Sequence, residues 1–133
     1  MNQYVDTILK FMPTSQALCF INGLNGAEGS YFQDVAKRIS VVIAKAPAIY
    51  ETDGHGDSVK PVLYYFFGNI DIYVTEIDKN SREHFGYTSI GHGSLEAGYI
   101  DLEYIFKAIP LINLDFNFEP LKISEYKKKY EGA

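Results

Sequence analysis

Apolar positions recur at helical spacing in the first third of the chain and at strand spacing after residue 60. Over residues 3–12, Tyr4, Ile8 and Phe11 share one face, with Val5, Leu9 and Met12 beside them, near a period of 3.6. Pro13 stops this run. Thr14 or Ser15 then offers an N-cap for a second short helix over residues 16–21. Asn22-Gly-Leu-Asn-Gly26 closes that helix with residues that adopt left-handed geometry cheaply. The longest helix is expected over residues 30–45. Ser30 is its N-cap, Asp34 lies early and Lys45 late, which suits the helix dipole. Phe32, Val35, Ile39, Val42 and Ala46 form its apolar stripe, widened by Ala36 and Ile43.

Residues 61–78 read as a β-hairpin. Two runs rich in aromatic and β-branched side chains are split by Gly68-Asn69, a pair suited to a tight turn. The run Val62–Phe67 is apolar on both faces, which suits a central strand. The second run ends in Thr75, Glu76 and Asp78, so its end is expected in water. Residues 84–90 and 96–100 read as third and fourth strands, separated by the turn Gly91-His-Gly93. A short helix follows over residues 102–107, started near Asp101 and closed before Pro110. Residues 112–119 alternate cleanly, with Ile112, Leu114, Phe116 and Phe118 on one face, and so read as a half-buried strand. Residues 124–130 can form a last helix with Lys127, Lys128 and Lys129 in its final turns.

Helices followed by strands define an α+β fold: an antiparallel meander of four to five strands, with the N-terminal helices packed on one face. The 133 residues suffice for one domain. It divides into a helical part (1–46), a sheet part (47–120) and a C-terminal helix or tail (121–133). The sequence shows no apolar run of the ~18 residues that cross a bilayer and no basic n-region at its start. The single Cys19 has no internal disulfide partner. A cytoplasmic protein without membrane contact is the resulting expectation.

The net charge is −5, and it is unevenly spread. Residues 61–120 carry nine acidic and three basic side chains, a net −6. That balance argues against direct binding of a phosphate backbone and suits a cationic partner. The 11 tyrosines and 9 phenylalanines, with no tryptophan, supply side chains with apolar bodies, eleven of them with polar tips, as binding surfaces use.

The most site-like stretch is the loop Glu51-Thr-Asp-Gly-His-Gly-Asp57. Glu51, Asp53 and Asp57 are candidate ligands for a hard cation, and His55 a candidate acid–base group. The stretch lacks the spacing of an EF-hand loop, and a solvated turn accounts for the same residues. His55, His84 and His92 have no metal-ligand spacing and read as exposed, unligated histidines. Cys19, between Leu18 and Phe20, reads as a buried small hydrophobe. No serine-hydrolase elbow or phosphate-binding loop occurs, and no cofactor is implied. Asp71, Tyr73, Glu76 and Asp78 form an acidic strand end. With Tyr64 they make a candidate docking surface, with the tyrosines as anchors.

Several ordered segments carry a resemblance. They are Tyr50-Glu-Thr-Asp-Gly54, Tyr64-Tyr-Phe66, residues 71–78, Phe85-Gly86, residues 96–103 and Leu114-Asp-Phe116. Over residues 50–116 the chain resembles a family of uncharacterised domains of phages, plasmids and conjugative elements. Ile72 stands where that family usually carries a tryptophan. The resemblance transfers no catalytic role to any residue. It implies a small accessory protein of a mobile genetic element, a group that often counters host restriction or CRISPR defence.

The expected function is therefore a non-enzymatic, protein-binding module that covers a basic groove with an acidic, tyrosine-bearing surface. Two other readings stand beside it. One is a metal-dependent enzyme using the 51–57 loop. The other is a single-strand nucleic-acid binder using Tyr64, Tyr73 and Tyr87 as stacking platforms.

Overall fold

The computed structural model describes residues 2–81, 83–91 and 93–131. Three helices lead the chain: α1 (Gln3–Leu9), α2 (Thr14–Leu24) and α3 (Gly29–Lys45). Four strands follow, β1 (Leu63–Phe67), β2 (Ile70–Glu76), β3 (Glu83–Ile90) and β4 (Glu96–Asp101). The chain ends with α4 (Leu102–Ala108), a two-residue β5 (Asn113–Leu114) and α5 (Ile123–Glu131). The strands form one antiparallel sheet in the order β4-β3-β2-β1-β5. The expected α+β meander with its N-terminal helices is thus present.

Local chemistry sets most element ends. Asn2 caps α1 by accepting the Val5 N–H at 2.9 Å, and Asp101 caps α4 through the Tyr104 N–H at 3.1 Å. The hairpin turns at Gly68, whose φ of +55° is open to glycine at no steric cost. In α3 the buried stripe is Val35, Ala36, Ile39, Ser40 and Ile43. Val42, expected in that stripe, is exposed at its margin, and Ser40 is buried on the other side of the stripe instead. Buried Ser40 donates its hydroxyl to the Tyr4 carbonyl of α1 at 2.9 Å, which satisfies it.

α1–α4 cover the inner face of the sheet. Its core joins Val5, Ile8, Phe20, Val35 and Ile39 to Leu63, Tyr65, Ile72, Val74 and Ile100. Tyr65 is fully buried there, and its hydroxyl reaches the Phe11 carbonyl at 2.6 Å. Cys19 is exposed, contrary to the expected burial. α2 turns Phe20 inward and leaves Leu18 and Cys19 on its outer side. His84 is also not an exposed histidine. It is buried at the inner face, stacked on Phe11 at 5.5 Å, and its Nδ1 accepts the Asp78 N–H at 3.2 Å. His55 is exposed, and His92 lies outside the described residues.

The outer face is covered by α5. Ile123 and Tyr126 of α5 join Tyr73 and Leu95 in a second core, with Tyr64, Tyr87, Phe118 and Tyr130 packed around it. The strand expected over 112–119 shrinks to β5, and its alternating apolar residues part company. Ile112 and Leu114 enter the inner core with Phe116 against it, whereas Phe118 crosses to the outer one. No helix among the described residues is long and apolar enough to cross a membrane.

Candidate functional site

The register aligns Tyr64, Tyr73 and Tyr87 in one row across β1, β2 and β3 on the outer face. Tyr64 and Tyr73 stack at 4.9 Å, and Tyr126 of α5 lies 4.4 Å from Tyr73. Tyr73 is only 6% exposed. The row that resembles a stacking platform in sequence is therefore a floor on which α5 rests. Asp71 completes the seat. Its carboxylate accepts the Tyr64 hydroxyl at 2.5 Å and the Tyr130 hydroxyl at 2.7 Å, and the Tyr73 and Tyr130 hydroxyls meet at 3.2 Å. Burial first, then these bonds to Asp71 and Tyr73, hold the Tyr64 and Tyr130 phenols far above their ordinary range.

The expected exposure of Glu76 is also corrected: it is 3% exposed. A register shift between Val74 and Glu76 bulges β2, so Glu76 pairs with Phe85 on β3. Its carboxylate then meets the loop that follows α3. It accepts the Tyr50 N–H and the Thr52 N–H, each at 2.9 Å, and the Thr52 hydroxyl. A buried carboxylate with several donors is satisfied without a cation. Thr75, also expected in water, is buried at the bulge, with its hydroxyl on the Phe85 carbonyl. Asp78 stays half-buried in the β2–β3 turn. The Asn80 N–H and then the Ser81 hydroxyl hold its carboxyl below the usual range.

The loop residues do not converge. Glu51 accepts the Ala48 N–H at 2.6 Å, as the side chain of a turn does. Asp57 pairs with Lys127 of α5 at 3.1 Å and so anchors that helix. Asp53 and His55 are exposed. Among the described residues no group of three or more His, Cys, Asp or Glu side chains is placed to hold a metal ion. A cleft of about 700 Å³ opens between α1, α3 and the turn at 77–81, lined in part by Lys10, Asp78, Lys79 and His84. Two of its polar groups serve the fold: Lys79 donates to the Ala44 carbonyl at 2.6 Å, and Asp78 holds the turn.

An accessible aromatic cluster stands on the outer face away from α5. Glu76 fastens Tyr50 with φ at +71°, the left-handed region that favours glycine, and no other non-glycine described residue has a positive φ. The Tyr50 side chain is 65% exposed and its hydroxyl meets that of Tyr99 on β4 at 2.6 Å. Tyr99, 54% exposed, also contacts the Phe85 ring edge-on at 5.7 Å. Acidic groups rim the pair. Glu83 and Asp101 are register partners on β3 and β4, both exposed, and Asp53 lies on the adjoining loop. The bond to Tyr50 raises the Tyr99 phenol above its ordinary value; desolvation, the charge on Tyr50, and Glu83 and Asp53 act in the same direction. The described residues make two ion pairs, Lys107–Glu103 and Lys127–Asp57, neither of which involves Asp53, Glu83 or Asp101.

Sequence reasoning thus named Tyr64, Asp71, Tyr73 and Glu76, which build the fold, and missed Tyr50, Phe85, Glu83, Tyr99 and Asp101 as a surface. No family model, curated protein or solved structure matches the chain.

Proposed function

We propose that this protein is a non-enzymatic, protein-binding module whose contact surface is the Tyr50–Tyr99 pair with its acidic rim of Asp53, Glu83 and Asp101. The observation that carries this reading is the backbone of Tyr50. A left-handed conformation costs a non-glycine residue about 1–2 kcal/mol. Here that cost goes to presenting an exposed phenol, and a buried carboxylate holds it in place. Strain kept at an exposed aromatic is a mark of a binding site rather than of packing. Exposed tyrosines rimmed by charge are suited to act as anchors in a protein interface.

The partner's complementary surface is basic, such as a groove that otherwise holds nucleic acid. Opposite charge would speed the encounter and make it salt-sensitive. The resemblance to domains of mobile genetic elements favours a host defence protein as that partner, with occlusion of its groove as the mechanism.

The test is affinity capture from a bacterial host with the wild type and two variants, Tyr50→Ala/Tyr99→Ala and Asp53→Lys/Glu83→Lys. A basic, nucleic-acid-binding protein is expected with the wild type alone, displaced by added nucleic acid. Equal recovery with both variants would refute the reading.

A further inference from the structure

The two edges of the sheet are finished differently. At β5 the side chain of Gln16, from α2, acts as a substitute strand. Its amide donates to the Leu114 carbonyl at 2.9 Å and accepts the Leu114 N–H at 2.8 Å. The edge that would invite pairing is closed. At β4, among the described residues, no side chain bonds the backbone of residues 96–100 and no helix or loop supplies a backbone partner there. Glu96, Ala97, Tyr99 and Asp101 are exposed along it. A six-residue edge spans about 20 Å, long enough for an extended segment to dock by main-chain hydrogen bonds.

We propose that β4 accepts an extended, basic segment of a protein partner as a sixth, antiparallel strand, with cationic side chains opposite Asp101 and Glu96. The proposal rests on the surface argued above and adds the mode of binding and the pattern that is read. Charge selects the occupant. Glu83 and Asp101 face each other across β3 and β4, and like charges opposite one another in a sheet are destabilising. A cation placed beside Asp101 by an added strand relieves that repulsion. The same charges exclude a second copy. Antiparallel pairing of β4 with itself over its whole length sets Glu96 against Asp101 at both ends. The outer face adds a side-chain contact. Positions of the added strand opposite Tyr99 and Ala97 lie on the face of the exposed tyrosine pair, so apolar side chains are preferred there.

The probe is an acetylated, amidated hexapeptide, Lys-Thr-Val-Thr-Val-Lys, which sets valines opposite Tyr99 and Ala97 in this register. It is titrated into the full chain and followed by amide chemical shifts and hydrogen exchange. Two versions N-methylated at odd or at even residues block one edge of the peptide each, and a version with Glu at both ends reverses the charge. Binding is expected to protect alternate amides of residues 96–100 and to weaken with salt. One N-methylated version, and only one, should bind at least about tenfold more weakly, as should the Glu version.

Binding that survives both N-methylations overturns strand addition, as does protection confined to other strands. The absence of peptide binding, with partner capture still dependent on Tyr50 and Tyr99, removes the strand mode and leaves the surface standing. Peptide binding with capture indifferent to those tyrosines removes the surface reading instead. A dimer in sedimentation that tightens on Asp101→Lys, which sets opposite charges at both ends of a β4–β4 pair, would make a second copy the occupant and sink the proposal.

Discussion

The Asp71 carboxylate on β2 accepts the hydroxyl of Tyr130 on α5 at 2.7 Å, across 59 residues of chain. With its other oxygen on Tyr64, this single acid ties the C-terminal helix to the tyrosine floor of the sheet. Asp71→Ala leaves two phenols without their acceptor in a half-buried site. A loss of about 1–3 kcal/mol is expected, read as a lower unfolding midpoint with faster amide exchange in residues 123–131. In Asp71→Ala/Tyr130→Phe the two losses should sum to more than the double variant shows, since both remove one interaction.

Glu76 and Tyr50 separate stability from binding. Glu76→Ala strips the acceptor from the Tyr50 N–H, the Thr52 N–H and the Thr52 hydroxyl, at an expected cost of about 2–3 kcal/mol in chemical denaturation. Tyr50→Gly relieves the left-handed backbone and is expected to keep or raise the melting temperature while losing partner capture. A melting temperature several degrees lower for Tyr50→Gly would show that the side chain is there for packing.

Two glycines opposite each other on β3 and β4 should respond oppositely to alanine. A methyl at Gly86 runs into the Tyr73 carbonyl and the Ile100 side chain, so Gly86→Ala should cost about 3 kcal/mol or more, or prevent folding. At Gly98, its register partner, a methyl meets nothing within 4 Å. Gly98→Ala is expected to change the unfolding free energy by less than about 0.5 kcal/mol. The comparison is read in urea titrations of both variants.

Stability should fall in alkali, beginning at the ordinary tyrosine pKa of about 10. Burial raises the Tyr64, Tyr65, Tyr73, Tyr126 and Tyr130 phenols in the folded chain. Below the unfolded value both states hold these protons, and the stabilisation is complete. Above it the unfolded chain releases protons that the folded chain keeps, so the free energy of unfolding falls with each step in pH until the folded values are reached. Melting temperatures measured between pH 8 and 11 should be flat and then drop. Phenolate absorbance should rise with the unfolding transition rather than ahead of it for these five side chains.

Residues whose behaviour depends on near neighbours were legible without the fold. The 3.6 and 2.0 periods, the Gly68 turn, the Asp101 cap and the basic end of α5 all follow from spacing and turn chemistry within a few residues. Together they were enough for an α+β meander. The outer layer was not legible, because burial of a tyrosine or a carboxylate depends on what the chain brings back from far away. Tyr73 and Asp71 are as polar-tipped in sequence as Tyr99 and Glu83; α5 arrives over the first two and not over the others. A one-residue bulge turned Glu76 from a solvated strand end into the clamp of the 50–52 loop. What sequence determined here is local geometry, fixed by sterics and short-range hydrogen bonds. Which acids and tyrosines face water was decided by tertiary contact alone, since desolvation is a property of the assembled layers and not of any residue type.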